Sequence, residues 1–403
     1  MLVLVAPGQG AQTPGFLTPW LELPGVADRL VWWSAVADLD LVHYGTEADA
    51  DTIRDTAIAQ PLLVASGIAA ALALFPHPAE AFRMVGAVAG HSVGELTAAA
   101  GTGAITAESA MALVRERGRA MASAAAVTTT SMTAVLGGDA EEVVAKLLEH
   151  GLTPANRNGA GQIVAAGTVE QLAALQADPP KGARLRPLSV AGAFHTVHMS
   201  PAVARMEVLA RGVSSRDPRI RYISNRDGAV VHSGRELVGR LVNQISNPVR
   251  WDLCMETMRE LGVTGLLEVP PAGTLTGLAK RALPGVETFA LKTPDQLDDA
   301  RAFVAKHADH HNAAHSLDAA PTWRLVVAPF SGTVQRGLPG GESVEPGAEL
   351  VPGAKIGAVV SRREERTLVA EHGGTVLEWL VEDGDPVAPG QPLLRIHPKA
   401  EAH

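Results

Sequence analysis

The hydrophobic pattern of the first 125 residues alternates between two forms. Residues 2–6 (LVLVA) and 84–89 (MVGAVA) are short continuous apolar runs, the pattern of strands covered on both faces. Residues 60–75, 95–100 and 107–122 are alanine- and leucine-bearing stretches that read as helices. The second apolar run ends at Gly90-His91-Ser92-Val93-Gly94, so a strand, a sharp glycine turn and a helix follow one another. That succession is the signature of an α/β domain.

From residue 131 to 190 the order changes to strand 132–136, helix 140–150, strands 152–155 and 162–166, helix 169–178 and strand 184–190. This is the order of a ferredoxin-like split βαβ unit. It predicts a small α+β subdomain at 129–191, inserted into a larger α/β domain made of 1–128 and 192–306. The larger domain resumes with strands at 220–224 and 265–269 and helices at 235–245, 251–261 and 294–306.

Residues 307–322 carry His307, His310, His311 and His315 among Asn, Asp, Ser and Ala without apolar periodicity, and read as a linker. The irregular histidine spacing and the lack of paired carboxylates argue against a metal site. Beyond it the chain repeats itself. Val326-Val327-Ala328-Pro329-Phe330-Ser331-Gly332-Thr333-Val334 matches Leu368-Val369-Ala370-Glu371-His372-Gly373-Gly374-Thr375-Val376, and Gly341-Glu342-Ser343-Val344-Glu345-Pro346-Gly347 matches Gly384-Asp385-Pro386-Val387-Ala388-Pro389-Gly390. Short alternating strands with Pro-Gly turns, given twice, predict an all-β domain of two similar halves over 323–398.

Composition narrows the class. A chain of 403 residues with 46% hydrophobic content has room for two or three globular units. A net charge of −9 opposes nucleic-acid binding. Cys254 is the single cysteine, which excludes an internal disulfide and a cysteine-rich zinc site and suits a reducing compartment. The apolar run at 2–6 breaks at Pro7-Gly8-Gln9-Gly10, too short for a signal peptide, and no run approaches the ~18 apolar residues of a membrane span. A cytoplasmic location is expected, away from membranes.

A hydroxyl becomes a nucleophile when a base takes its proton and donors stabilise the oxyanion that follows. In Gly90-x-Ser92-x-Gly94 the glycines permit a strained turn that lifts Ser92 out of the sheet, with the Val93 N–H and a helix N-terminus behind it. The base must come from the fourteen histidines. His195 opens the segment where the large domain resumes. His91 adjoins the nucleophile on a tight turn and reads as structural, and His198 and His232 read as surface residues. Spacing alone does not choose between them. Arg117, between Arg115 and Arg119, reads first as an exposed helix arginine, with a carboxylate clamp as the alternative.

Six motifs occur together in one order: Pro7-Gly8-Gln9-Gly10-Ala11-Gln12, Gly90-His91-Ser92-Val93-Gly94-Glu95, Arg115-Glu116-Arg117-Gly118, Gly192-Ala193-Phe194-His195, Gln244 with Asn247-Pro248-Val249-Arg250-Trp251, and Leu275-Thr276-Gly277-Leu278. In order and spacing the first three-quarters of the chain resembles malonyl-CoA:acyl carrier protein transacylases. The resemblance implies an α/β-hydrolase-like large domain with a ferredoxin-like insert. It implies transfer of malonyl from malonyl-CoA to the phosphopantetheine thiol of an acyl carrier protein, in fatty acid or polyketide synthesis, with no bound cofactor and no metal. By the same resemblance Ser92 is the nucleophile and His195 its base. The N–H groups of Gln9 and Val93 form the oxyanion hole, the Gln244 carbonyl orients the histidine, and Arg117 binds the substrate carboxylate. Phe194, Asn156, Asn158 and Gln162 fall at pocket positions, Phe194 crowding an α-methyl group. Arg157 is left without a role.

The repeated β unit resembles biotinyl/lipoyl domains, which implies a barrel-sandwich hybrid. Where that resemblance expects the modified lysine stands Arg363, within Ser361-Arg362-Arg363-Glu364, and Lys355 and Lys399 lie outside the turn. An arginine cannot be acylated as an amine, so no biotin or lipoate is expected. The unit then reads as a docking or scaffold module for a carrier protein or for a synthase or carboxylase component, or as a tail that merely folds. Two other readings of the whole chain stand beside transfer: a hydrolase using the same serine, and a non-catalytic assembly protein. Arg117 and the absence of an obvious third carboxylate favour transfer over hydrolysis.

Overall fold

The computed structural model describes residues 1–190, 192–308, 324–337, 344–371 and 373–398. Most of the expected linker, from residue 309 on, lies outside them, as do Lys399 and part of the second repeat motif, residues 341–343.

The largest sheet has six strands in the order Glu287–Ala290, Gly265–Glu268, Leu2–Ala6, Val85–Gly90, Arg221–Ile223, Val230–Val231. All neighbours are parallel except the last pair. The two apolar runs lie at its centre, and their lack of alternation has a direct cause. Leu2, Leu4 and Ala6 face one hydrophobic layer with Leu62, Met111 and Trp33, while Val3 and Val5 face another with Trp251, Met255 and Leu275. Successive strand side chains point to opposite faces, so a sheet covered on both sides needs apolar residues at every position.

The helix expected at 60–75 begins four residues earlier, at Thr56–Leu74, where Asp55 accepts a hydrogen bond from the Ala57 N–H at 2.7 Å. Pro61 consequently lies inside the helix. Among the described residues this helix is long and apolar enough to cross a membrane by length and composition, with mean hydropathy 1.9, against the expectation that no run approaches that limit. Its apolar surface is a core surface: 72% of the window is buried inside the protein. The amphipathic helices Val26–Ala37, Ser200–Ala210 and Thr274–Ala282 are additional to the expected set.

The insert forms an antiparallel sheet in the order Ala183–Pro187, Thr130–Gly137, Gln162–Thr168, Thr153–Gly159, with a separate core of Val135, Val143, Leu147, Ile163 and Leu175. Thr153–Gly159 also pairs in parallel with Val249–Arg250. Arg157, at that seam, contacts Glu141 at 2.9 Å and Asp252 at 3.4 Å, and Asp252 also holds Arg250 at 3.0 Å. The residue for which the sequence offers no role therefore ties the insert to the helix Trp251–Glu260.

In the C-terminal unit each of two four-stranded sheets takes two strands from each repeat: Arg324–Val327, Pro392–Pro398, Gly374–Trp379, Glu349–Leu350, and Glu365–Ala370, Ala354–Val360, Gly332–Arg336, Pro386–Val387. The halves are thus interleaved around Val334, Ile356, Leu368, Val376 and Leu393. Arg363 is exposed in the turn joining Ala354–Val360 to Glu365–Ala370. One boundary is corrected. His307 is not a linker residue: it ends the helix Leu297–His307, is buried, bonds Thr264 Oγ1 through Nδ1 at 3.0 Å and packs on Phe303.

The turn after Val85–Gly90 is closed by backbone contact. A Cβ on Gly94 would lie 2.2 Å from the Ala6 carbonyl oxygen, and one on Gly90 would lie 2.0 Å from the Gly94 carbonyl carbon. Neither neighbour is a flexible side chain, so the backbone would have to move. We predict that Gly94→Ala lowers unfolding stability by about 3 kcal/mol or more, the upper end of overpacking costs. Gly101, in the same helix with open space around it, is the control; its change to alanine should be neutral or stabilising by up to ~1 kcal/mol. Equal urea-denaturation midpoints for the two variants would contradict the close approach.

Candidate active site

Ser92 sits at the carboxyl end of Val85–Gly90 with φ of 53°, a left-handed conformation that costs a non-glycine residue energy. Side chains hold the strain in place. The Ser92 N–H donates to Asn225 Oδ1 at 2.8 Å, and Asn225 Nδ2 donates to the Gly90 carbonyl at 2.7 Å. Asn225 is fully buried, so its amide is a fixed clamp across the turn.

His195 also has positive φ, 61°, and its loop is pinned to the insert by Ala193 N–H to Thr130 Oγ1 at 2.9 Å. Its Nδ1 lies 2.8 Å from the Gln244 carbonyl oxygen and its Nε2 lies 2.7 Å from Ser92 Oγ. A carbonyl only accepts, so Nδ1 carries the proton and Nε2 presents a lone pair to the serine hydroxyl. Among the described residues this geometry pairs His195 with Ser92, where spacing left the choice open. His91 turns away, with Nε2 2.8 Å from Asn158 Oδ1 and its ring edge-on to Trp251.

Arg117 is buried rather than exposed. Nη1 donates to Gln60 Oε1 at 2.7 Å, and Nη2 donates to Gln244 Oε1 at 2.8 Å and to Ser92 Oγ at 3.3 Å. Its partners are neutral oxygens, so the charge is solvated but not neutralised. Beside Ser92 and Arg117 the cavity is walled by Leu96, Leu113, Met206, Val238 and Leu241. An apolar cavity with one cation in its lining suits a short anionic acyl group.

The other expected site residues fall at varied distances from this centre. Gln9 is in the loop after Leu2–Ala6, its side chain donating to the Arg54 carbonyl at 3.1 Å and Thr56 Oγ1 at 3.3 Å. Among the described hydrogen bonds, neither the Gln9 nor the Val93 backbone N–H has an acceptor. Phe194 does not line the cavity: its ring is in the core against Gly192, and Met206, Val238 and Leu241 supply the bulk near Ser92. Asn158 reaches the site through His91, Asn156 Oδ1 is buried without a partner, and Gln162 stands opposite Gly159 at a strand start.

Three residues to which the sequence reading gave no role belong to the centre: Gln60, Asn225 and Glu95. The Glu95 carboxylate is buried beneath the serine turn, accepting from the Asn225 N–H at 2.7 Å and from Gln244 Nε2. Gln60 had one signal, a long polar side chain in an otherwise apolar helix.

Burial dominates the electrostatics. It lowers His195 to about 3, with the Arg117 charge acting in the same direction, so the imidazole is neutral throughout the physiological range. It raises Glu95 to about 7, against hydrogen bonds from Asn225 and Gln244 and the attraction of Arg117. It lowers Arg117 to about 10, which leaves it cationic at neutral pH.

Residues 3–316 match the acyl transferase domain family. The chain is 51% identical over 304 residues to the malonyl CoA-acyl carrier protein transacylase of Mycobacterium tuberculosis strain H37Rv, covering 74% of this chain and 99% of that protein. The crystal structure of MCAT from Mycobacterium tuberculosis aligns with a TM-score of 0.72 at 51% identity, over 75% of this chain and 99% of the other. A type II PKS acyl-carrier protein in complex with its malonyl-transacylase, PlMCAT:AntF, aligns with a TM-score of 0.68 at 30% identity, over 75% and 99%.

The two shifted groups pull stability in opposite directions with pH. His195 falls from 6.5 to about 3 on folding, so its contribution is present above 6.5 and is lost as pH falls through 3. Glu95 rises from 4.5 to about 7, so its contribution is present below 4.5 and is lost as pH rises through 7. Between pH 4.5 and 6.5 the native state holds one extra proton on Glu95 and the unfolded state one on His195, and the slopes cancel. Relative to wild type, His195→Gln should lose stability with rising pH in this window and Glu95→Gln should gain it, each by at most about 1.4 kcal/mol per pH unit. Urea denaturation across the window measures both; wild-type slopes in both variants would refute the assignment.

Proposed function

Because the chain belongs to the acyl transferase family, we infer that it transfers the malonyl group of malonyl-CoA to the phosphopantetheine thiol of an acyl carrier protein, supplying fatty acid or polyketide synthesis. The observation that carries the substrate class is the Arg117 guanidinium, 3.3 Å from Ser92 Oγ and bonded only to neutral oxygens. A malonyl group has a carboxylate two bonds from its thioester carbon. With that carboxylate on the guanidinium fork, the carbonyl carbon comes within reach of Ser92.

In the first half-reaction His195 Nε2 takes the Ser92 proton as Oγ bonds to the thioester carbon. The Gln9 and Val93 N–H groups donate to the oxyanion. When the tetrahedral intermediate collapses, the C–S bond breaks and His195 returns its proton to the coenzyme A thiolate, leaving a malonyl-serine ester. In the second, the carrier's thiol gives its proton to His195, sulfur attacks the ester, and Ser92 recovers the proton as Oγ leaves. The Gln244 carbonyl holds the imidazole tautomer and accepts the charge that develops on it. Substrate also strengthens the base. The Arg117 charge is one cause of the low His195 pKa, so a bound carboxylate that offsets this charge raises the basicity of His195 when it is needed.

We read the insert as ferredoxin-like, the large domain as α/β-hydrolase-like, and the C-terminal unit as a barrel-sandwich hybrid of the biotinyl/lipoyl type. With Arg363 in the hairpin turn, that unit serves as a docking or scaffold module for a carrier protein or for a synthase or carboxylase component. A cytoplasmic location accompanies this reading.

Incubation with malonyl-CoA and a holo carrier protein should add one malonyl group to the carrier by mass spectrometry; malonate release with no loading would favour a hydrolase. Arg117→Ala should reduce malonyl transfer about 100-fold more than acetyl transfer, the value of a lost charge-assisted hydrogen-bond pair. Equal losses would remove Arg117 from substrate recognition. The full-length protein, expressed in cells that biotinylate and lipoylate their own proteins, should show its unmodified mass; an adduct would overturn the reading of Arg363.

A further inference from the structure

Glu95 stands one residue beyond the serine turn, in the first turn of the helix Gly94–Gly101. An acid there ordinarily serves the helix dipole from the surface. This one is 1% exposed. It contacts none of the atoms that would react, yet Ser92, His195 and Arg117 are each bonded to a residue that it touches.

One carboxylate oxygen accepts the Asn225 N–H at 2.7 Å, and Asn225 Oδ1 in turn accepts the Ser92 N–H at 2.8 Å. The other accepts from Gln244 Nε2, which also reaches the Ser92 carbonyl at 3.0 Å. Gln244 Oε1 accepts from Arg117, and the Gln244 main-chain carbonyl accepts from His195. The serine turn meets the Asn225 and Gln244 side chains, the arginine meets the Gln244 side chain and the base meets the Gln244 main-chain carbonyl; Glu95 holds both residues, through the Gln244 amide and the Asn225 main-chain N–H.

Primary amides have a polarity that their shape does not fix. The oxygen and nitrogen ends of Gln244 are nearly isosteric, and a half-turn about the last side-chain bond would aim its NH2 at the guanidinium. A buried carboxylate, which only accepts while ionised, forbids that half-turn, because the NH2 end must face it and Oε1 is left for Arg117. Protonation would give Glu95 a hydroxyl that pairs with a reversed Gln244, so the ordering belongs to the ionised form, and a glutamine at 95 carries such a donor at every pH.

We propose that Glu95 is a positioning residue for acyl transfer, setting the orientation of the Gln244 amide and through it aiming Arg117 and holding the Ser92 turn. This rests on the acyl-transfer reading, which wild-type carrier loading tests separately.

The test is a double-variant cycle in full-length protein. Glu95→Gln keeps the shape and alters the acceptor, Gln244→Met removes the amide and keeps the main-chain carbonyl, and the double variant combines them. Transfer of malonyl and of acetyl is measured for each, with KM and kcat resolved and melting temperatures recorded. Glu95→Gln should reduce malonyl kcat/KM roughly 10- to 100-fold through both constants, the usual cost of a small misplacement at a reacting centre. Acetyl transfer should suffer less. The double variant should be no worse than Gln244→Met within about twofold, because both changes break the same path. Multiplying effects would show that Glu95 acts independently of Gln244 and would overturn the proposal, as would a wild-type malonyl-to-acetyl ratio in Glu95→Gln. If Glu95→Gln does not fold, Gln244→Met decides alone: an unchanged malonyl-to-acetyl ratio there sinks the route through the amide.

Discussion

A positive charge held out of water beside Ser92 is the constraint from which the site is built. Arg117 has three hydrogen-bond partners, Gln60, Gln244 and Ser92, and among the described residues no carboxylate touches it. Burying a charge without a counter-ion is costly. The fold meets that cost with neutral oxygens and with one carboxylate, Glu95, kept a residue away behind Gln244. A carboxylate in direct contact would occupy the place of the substrate's own. The helices that carry Arg117 and Gln60 must close tightly for this, and Gly118 lets them: a Cβ there would lie 2.9 Å from the Thr56 carbonyl oxygen.

The same charge adds to burial in keeping the proposed base neutral. Burial and Arg117 together keep His195 neutral, and an acceptor without charge at Nδ1, the Gln244 carbonyl, suits an imidazole that already has a cation nearby for the substrate to offset. The serine turn supplies the other half. Its left-handed Ser92 persists because Gly90 and Gly94 allow the strand, turn and helix to touch and because Asn225 clamps the gap. Strain, neutral imidazole and buried cation are thus held by one network of Asn225, Gln244 and Glu95.

How much of this the sequence discloses depends on whether a residue's role is local. The central strands are legible because burial on both faces removes alternation, and the serine turn because its glycines are adjacent in the chain. The C-terminal halves are legible as a repeat. Arg117 is ambiguous in sequence, since its helix carries neighbouring arginines that are partly exposed and paired, such as Arg119 with Asp38. Asn225 and Gln60 are illegible for a different reason: an asparagine before a turn and a glutamine in a helix acquire their roles only from partners 133 and 57 positions away. Glu95 looks like a dipole-matching surface acid until the helix is seen to be buried. Phe194 adjoins His195 in sequence, but its ring packs in the core against Gly192, a placement that adjacency alone does not disclose.

In the proposed mechanism Ser92 accepts a carboxylate-bearing acyl group. Peptide mass spectrometry of the protein after exposure to malonyl-CoA in the absence of any carrier tests this most directly. One malonyl mass on the peptide containing Ser92, absent from Ser92→Ala and strongly reduced in His195→Gln, is the predicted result. Malonyl on any other residue, or undiminished labelling of Ser92→Ala, would contradict the account at its centre.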